Sequence, residues 1–452
     1  MPVTAAVSRR PPSPHRVLAL TFASLISVGT FLLRLPAAAD GPPLSLVDAF
    51  FTATSAVCVT GLIVVDTPVA LSTFGEGTLL LLIQLGGLGY MTIATLVGMS
   101  LGKRLTWQER RVLQEGLHTE SLEGIGRFAA LVFGVTICFE LAATAVLTVH
   151  WLDDFGASRA AYLALFHSVS AFNNAGFSLF STGLVDYQTD LVVNLVVMAL
   201  VISGGAGFLV LSEVGRFRTW RHFSLHTKLV LVMTLILVAV ATLAVFLLER
   251  GNPRTLGGLS AAQAWLAAFF QAVTPRTAGF NTVDIGSLTV PTLFVLIVLM
   301  FIGAGPGGTA GGVKSSTFAV SILALWATIR GAREPSAFGR RLPLELVARA
   351  FFIILIGFLA VNVAFGALLV LEGRSFLSTL FETTSAFGTV GLSTGSATGP
   401  VSLVSEFSTP GKLLVAAMMF TGRLGPLTLA VALAGREAGA RLRYPEGKVL
   451  IG

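Results

Sequence analysis

Charge is the scarcest resource in this chain. Only 12% of its 452 residues are Asp, Glu, Lys or Arg, about half the share of an ordinary soluble domain. Apolar residues make up 54%, and the mean hydropathy is +0.83. That balance excludes a soluble enzyme, a disordered protein and a nucleic-acid-binding module, so the net charge of +7 needs another explanation than nucleic acid. Cysteine is nearly missing too: Cys58 and Cys138 make neither a disulfide framework nor a metal site. Within the apolar runs long enough to span a membrane the charged residues are Glu140, Lys314 and Arg423. A membrane-embedded enzyme needs a clustered set of His, Asp and Glu, or of Ser and Lys. No such cluster is present, and an enzyme is not expected.

Long apolar runs are what the chain has in abundance. A helix needs about 20 apolar residues to cross the hydrocarbon layer. Stretches of that order lie at 17–33, 77–102, 128–152, 191–212, 229–248, 285–313 (continuing to 329), 350–371 and 413–435. Four shorter apolar segments fall between successive pairs, at 45–57, 161–172, 262–274 and 376–387; segments of this length are re-entrant or interfacial candidates. The first run has a basic flank (Arg9, Arg10, Arg16) but no clear small-residue cleavage site, and it reads as a retained helix. Of the 30 Lys and Arg, 21 lie in the N-terminal tail, in the segments 103–127, 216–228 and 330–349, and in 436–448. The opposite side holds seven. By the positive-inside rule both termini are cytoplasmic, and all four short segments enter from outside.

The order of long span, short segment and long span occurs four times, and a glycine follows each short segment. The aligned residues are Cys58-Val59-Thr60-Gly61, Asn173-Asn174-Ala175-Gly176, Arg276-Thr277-Ala278-Gly279 and Gly388-Thr389-Val390-Gly391. The glycines are 115, 103 and 112 residues apart, an architectural period. Ser55, Ser170 and Ser385 each stand six residues before the glycine, and Thr274 stands five before it. Non-helical backbone survives at membrane depth only inside protein or along a water-filled path. A short helix followed by an extended strand in each copy places four strands around one axis. Glycine permits the dihedrals that aim carbonyl oxygens at that axis, and rings of such oxygens replace the hydration shell of a monovalent cation. The helix dipoles add to this cation preference. Close helix packing is the alternative use of any single glycine. For Asn174 a plain loop amide and a carbonyl or side-chain ligand both remain open.

These residues carry a resemblance. Gln84-Leu85-Gly86-Gly87-Leu88-Gly89, the run from His167 to Phe177, and Arg276-Thr277-Ala278-Gly279-Phe280-Asn281 are characteristic stretches. So are the run from Gly422 to Thr428 and Tyr444-Pro445-Glu446. Together they resemble the membrane subunits of the Ktr/Trk/HKT superfamily of potassium transporters, the Ktr branch most closely, from about residue 16 onward. The resemblance implies an all-α integral membrane fold of eight transmembrane helices and four re-entrant pore helices around one central pore per subunit. It implies K⁺ uptake through a filter formed by Val59, Thr60, Gly61, Asn174, Ala175, Gly176, Thr277, Ala278, Gly279, Thr389, Val390 and Gly391. It further implies a homodimer in the bacterial plasma membrane, on a cytoplasmic ring of an ATP/ADP-binding subunit resembling KtrA. No covalently bound cofactor and no nucleic acid enter. K⁺ is the transported ion, held by backbone carbonyls only, with Na⁺ as activator or co-ion.

Two features inside the spans are gate candidates. The segment from Gly303 through Gly305, Pro306, Gly307, Gly308, Ala310, Gly311 and Gly312 to Lys314 has seven glycines or prolines in its first ten residues. It cannot sustain a helix, although a kinked helix packed on its neighbours is the alternative. It is not a phosphate-binding loop, because Val313 separates Gly312 from Lys314. The resemblance places the matching loop under the filter, where it obstructs the pore. Ala310 and Pro306 depart from that family's pattern. Arg423, near mid-membrane, is expected to oppose the loop; a charge there needs a cavity or a partner. The expected organisation is a tail over 1–16, repeats over 17–102, 103–215, 216–330 (gate loop 303–314) and 331–436, and a tail over 437–452. A secondary transporter of another small solute, built on broken helices, is the competing reading.

Overall fold

The computed structural model describes residues 14–89, 114, 125–217, 219–332, 334–426 and 428. The expected C-terminal tail with its Tyr-Pro-Glu motif, most of the N-terminal tail, most of the loop 103–127 and the second half of the span 77–102 lie outside them.

Fourteen helices of nine or more residues fall into four successive units among the described residues. The first unit holds α1 (Pro14–Leu33), α2 (Leu46–Val57) and α3 (Thr73–Leu88). The second holds α4 (Ile125–His150), α5 (Ala157–Phe172), α6 (Leu191–Ala206) and α7 (Phe208–Arg216). In the third are α8 (Leu225–Glu249), α9 (Ala261–Val273), α10 (Val290–Phe301) and α11 (Ser315–Ile329). The fourth contains α12 (Leu344–Glu372), α13 (Phe376–Gly388) and α14 (Thr409–Leu424). A two-residue antiparallel hairpin, β1 (Ser336–Ala337) with β2 (Arg340–Arg341), precedes the last unit.

The opening helices α1, α4, α8 and α12 are each long and apolar enough to cross a bilayer. Only 28–33% of the most apolar window of each is buried within the chain, and side chains such as Leu235, Val363 and Val370 stand out from it. Apolar faces of this extent are covered by lipid, as in a multi-pass membrane protein. The short helices α2, α5, α9 and α13 bury most of their C-terminal halves at the centre. Ser45, Ser260 and Ser375 cap three of them, Ser260 in a reciprocal capping box with Gln263.

The closing helices depart from expectation. The sequence marks one strongly broken span, whereas in the structure the closing helix of every unit ends or bends at or beside glycine. The α3 helix stops at Gly89, α6 turns into α7 through 104° at Gly207, and α14 stops at Gly425. Between α10 and α11 the chain is irregular. Gly89, Gly207 and Gly425 have φ of 76°, 100° and 83°, dihedrals that a right-handed helix cannot contain. One glycine barely lowers the hydropathy of an apolar run, so a reading by hydropathy passes over such a break.

The end of each opening helix is tied to the start of the closing one. His150 Nε2 lies 2.6 Å from Asp190 Oδ2, which belongs to the N-cap of α6. The Glu249 carboxylate accepts from Thr289 N (2.9 Å) and Oγ1 (2.7 Å) before α10, and Glu372 accepts from Ser408 N (2.9 Å) and Oγ (2.6 Å) before α14. In the first unit Ser72 donates to Ala37 O and Ala38 O. The closing helices then meet the ends of the short ones at glycine. A Cβ on Gly86, Gly204 or Gly422 would overlap the carbonyl of Val57, Phe172 or Phe387, each four residues before a repeat glycine.

Replacing Gly204 with Ala is therefore expected to lower stability by about 1–3 kcal/mol through overpacking. Gly134→Ala in α4, where a Cβ meets nothing, is expected to be neutral or stabilising by up to about 1 kcal/mol. Thermal unfolding of both variants in detergent checks the contrast.

Candidate functional site

The four repeat glycines close into a ring. A Cβ on Gly61 would meet Gly176 Cα at 3.0 Å, one on Gly176 would meet Gly279 Cα at 3.0 Å, one on Gly279 Gly391 Cα at 3.3 Å, and one on Gly391 Gly61 Cα at 3.0 Å. In each case the neighbouring backbone leaves no room for a side chain.

The strands leading into the ring share a conformation that their sequences do not advertise. Two residues before each glycine, Val59, Asn174, Thr277 and Thr389 take φ of 49°, 56°, 76° and 49°. The glycines themselves are at 92°, 70°, 81° and 92°, and the residue between is not left-handed. This alternation turns successive peptide planes to one side. For β-branched Val and Thr it costs about 1–2 kcal/mol each, so the surroundings must enforce it. In each strand the N–H of the residue before the glycine is bonded back onto the short helix behind. Thr60 N donates to Ser55 O (2.8 Å), Ala175 N to Ser170 O (2.8 Å), Ala278 N to Thr274 O (2.9 Å) and Val390 N to Ser385 O (2.9 Å). The aligned hydroxyls add a second tie. Ser55 Oγ and Ser385 Oγ accept from Gly61 N and Gly391 N at 3.1 Å. Ser170 Oγ donates to Phe177 O (2.7 Å), and Thr274 Oγ1 donates to Phe280 O.

With the donors spent backwards, the carbonyls are left over. Among the described residues no hydrogen bond ends on the carbonyl oxygens of Val59, Thr60, Asn174, Ala175, Thr277, Ala278, Thr389 or Val390, all buried residues. The hydroxyls of Thr60 and Thr389 are buried without a partner as well. Buried carbonyls are normally paired. A ring of unpaired ones is a seat for a cation that sheds its water. The Asn174 side chain, oriented by its neighbours, donates to Val201 O (3.2 Å) and Ala171 O (3.1 Å). Its amide nitrogen thus ties the strand to α6, and the backbone oxygen is the free one.

On one side of the ring a cavity of about 600 Å³ opens, lined by all four glycines, with Asp66 and Asp284 as its only charged residues. The loop from Ser393 to Ser402 forms part of its wall, and Glu406 fastens that loop by accepting from Ser396 Oγ (2.5 Å) and Ala397 N (2.7 Å). Arg374 lies 2.8 Å from the same carboxylate. On the other side lies the segment 302–314. Thr309 N donates to Gly204 O (3.2 Å) and Gly305 N to Gly205 O (2.8 Å), while Gly307 O accepts from Phe208 N (3.0 Å). Gly312 N donates to Gly422 O (3.3 Å), and Gly303 N donates to Val313 O (2.8 Å). Gly308 and Gly311 have no space for a side chain, the first against Gly204 and Gly207, the second against Thr389. Two cations hold adjacent carbonyls of this segment: Arg423 Nη1 donates to Thr309 O, and Lys314 Nζ to Ala310 O (2.5 Å). Arg423 Nη2 also reaches Gly86 O (2.6 Å) and Gly87 O (3.2 Å) at the end of α3. The glycine segment and Arg423 therefore meet directly beneath Thr389.

A family model described as "TrkH: Cation transport protein" matches residues 12–440. The chain belongs to this cation transport family. It is 43% identical over 440 residues to the Ktr system potassium uptake protein B of Bacillus subtilis, covering 97% of each chain. It is 33% identical to the potassium/sodium uptake protein NtpJ of Enterococcus hirae, again over 97% of each. The fold is similar to the crystal structure of the potassium transporter TrkH from Vibrio parahaemolyticus, with a TM-score of 0.75 at 20% identity over 95% of this chain and 86% of that one.

Three features escape a reading of the sequence. The left-handed residues are not glycines and carry no signal. Glu382, buried in α13, accepts from Val404 N (3.1 Å) and supports the cavity wall; within an apolar segment only its charge hints at a role. Asn173 joins Gln84 and Glu140 across three helices, a link that only the packing reveals.

Hydrogen bonds from Ser396 and Ala397, together with Arg374, hold the Glu406 carboxyl below the ordinary range. A depressed carboxyl stabilises above its unfolded value and loses that contribution as pH falls through its folded one. Corrected for intrinsic exchange, the protection of the amides across 393–406 is expected to fall as pH drops below the ordinary carboxylate range, and Glu406→Gln is expected to lack that protection already at neutral pH.

Proposed function

We propose that this chain is the pore-forming subunit of a potassium uptake system of the plasma membrane. The observation that carries the reading is the closed ring of four glycine strands, whose buried carbonyls have no partner within the chain. The names of the relatives, all alkali-cation transporters, point the same way. Dehydrated K⁺ is held at the oxygens of Val59, Thr60, Asn174, Ala175, Thr277, Ala278, Thr389 and Val390, with Gly61, Gly176, Gly279 and Gly391 setting the strand geometry. Ions enter from the cavity carrying Asp66 and Asp284, and the electrochemical gradient drives them inward.

Gly303, Gly305, Gly307, Gly308, Gly311, Gly312 and Lys314, pinned by Arg423, close the inner side of the ring. Opening withdraws this loop from beneath Thr389 under the control of a cytoplasmic nucleotide-binding ring of the KtrA kind. The subunit works as a homodimer with one pore per chain and eight membrane crossings, the closing helices completing theirs beyond their glycine breaks. Na⁺ acts as activator or co-ion, in keeping with the potassium/sodium name of the Enterococcus relative.

The test is K⁺ uptake in a bacterial strain without its own K⁺ importers, with and without a co-expressed regulatory subunit. Wild type is expected to restore growth at low K⁺. Gly279→Ser, which puts a side chain against Val390 and Gly176 at φ 81°, is expected to cut uptake at least about tenfold, the effect of about 1.4 kcal/mol on the barrier. Arg423→Ala is expected to make uptake independent of the regulatory subunit. Properly inserted wild type that never restores uptake would leave potassium the wrong substrate.

A further inference from the structure

The carboxylate of Glu140 lies in α4, 3% exposed, in a part of the chain where charge is otherwise excluded. Among the described residues no cation pairs with it; two amides do. Asn173 Nδ2 donates to its Oε1 (3.0 Å) and Gln84 Nε2 donates to its Oε2 (3.2 Å). Asn173 Nδ2 also donates to Gln84 Oε1 (2.8 Å), which closes a three-membered network. Each member sits next to the pathway without touching it. Asn173 is the residue before Asn174, the left-handed start of the second strand. Gln84 is two residues before Gly86, whose carbonyl holds Arg423. The same register is anchored in the third unit, where Arg276 donates from Nη2 to Thr234 Oγ1 (3.0 Å) of α8. There the anchor is a hydroxyl; here it is a buried carboxyl group.

We propose that Glu140 is a positioning residue that, through Asn173 and Gln84, fixes the second strand relative to the end of α3, and so sets the preference of the ring for K⁺ over Na⁺. This rests on the pathway reading above. A carboxyl group suits the task because its two oxygens accept from both amides at once. A glutamine at 140 has one acceptor and one donor end, so one of the two amides loses its partner. Strand displacements of a few tenths of an ångström alter the cage of oxygens while leaving the helices in place.

The full chain in proteoliposomes gives the readout, as uptake of K⁺ against Na⁺. Glu140→Gln is expected to stay folded with at most a modestly lowered thermal midpoint and to lose about tenfold in K⁺ preference, as when a buried amide is left without its partner. The double variant Gln84→Glu with Glu140→Gln exchanges carboxylate and amide, and every bond of the network can be redrawn. It is expected to recover K⁺ preference to within about twofold of wild type, given the same number of hydrogen bonds to a carboxyl group. If Glu140→Gln fails to fold, the double variant alone decides, since wild-type preference in it supports the network. A folded Glu140→Gln with unchanged preference, or a folded double variant with lost preference, overturns the proposal while wild type still carries K⁺. Wild-type vesicles that carry no K⁺ overturn the pathway reading and this proposal with it.

Discussion

Peptide groups removed from water must find partners, and this structure depends on where it lets that rule lapse. In all four strands the residue before the glycine donates back to the short helix behind it, and the strand carbonyls are left without a partner among the described residues. A helix or a closed barrel would satisfy both kinds of group and leave nothing for an ion. Splitting the two leaves a ring of unpaired oxygens inside an apolar body. The surrounding architecture follows: lipid-facing helices to isolate the ring, serine and threonine hydroxyls to tie it, and glycine wherever backbones approach most closely.

Four units in one chain need not be identical, and their differences are informative. The tie behind the ring is made by a serine accepting from a glycine N–H in the first and fourth units, and by a hydroxyl donating to a carbonyl in the other two. Three residues before the glycines stand Cys58, Asn173, Arg276 and Gly388, which meet their surroundings in four different ways. The backbone geometry is nonetheless common to all. Position in the ring is a matter of main-chain conformation, and each unit reaches it with its own side chains.

Much of this was legible in the sequence, for a definite reason. Lipid exposure demands apolar residues in long runs, and the ring demands glycine at a fixed place, so units and ring both leave marks in composition. The serines six residues before the glycine could be aligned because a hydroxyl there ties the strand to the short helix, whichever way its hydrogen bond runs. The helix breaks at Gly89, Gly207 and Gly425 were not legible, since a single dihedral changes neither hydropathy nor charge. Nor were Val59, Thr277 and Thr389 in left-handed conformation: their intrinsic preference points the other way, and hydrogen bonds from elsewhere in the unit override it. Arg423 announced itself as a mid-membrane charge, but its partners are the carbonyls of Thr309 in the irregular segment and of Gly86 and Gly87 at the end of α3, which no charge pattern can disclose.

The clasps between opening and closing helices bear on how the molecule is made. His150 with Asp190, Glu249 with Thr289 and Glu372 with Ser408 join residues 40, 40 and 36 apart, so each unit can close on itself soon after it leaves the ribosome. The contact of Arg423 with Gly86 spans 337 residues. It cannot form until the fourth unit has been inserted, and neither can the last side of the ring. A nascent chain therefore holds three units and an incomplete ring, and the unit that closes the ring is the same one that carries Arg423 to Thr309 and Gly86.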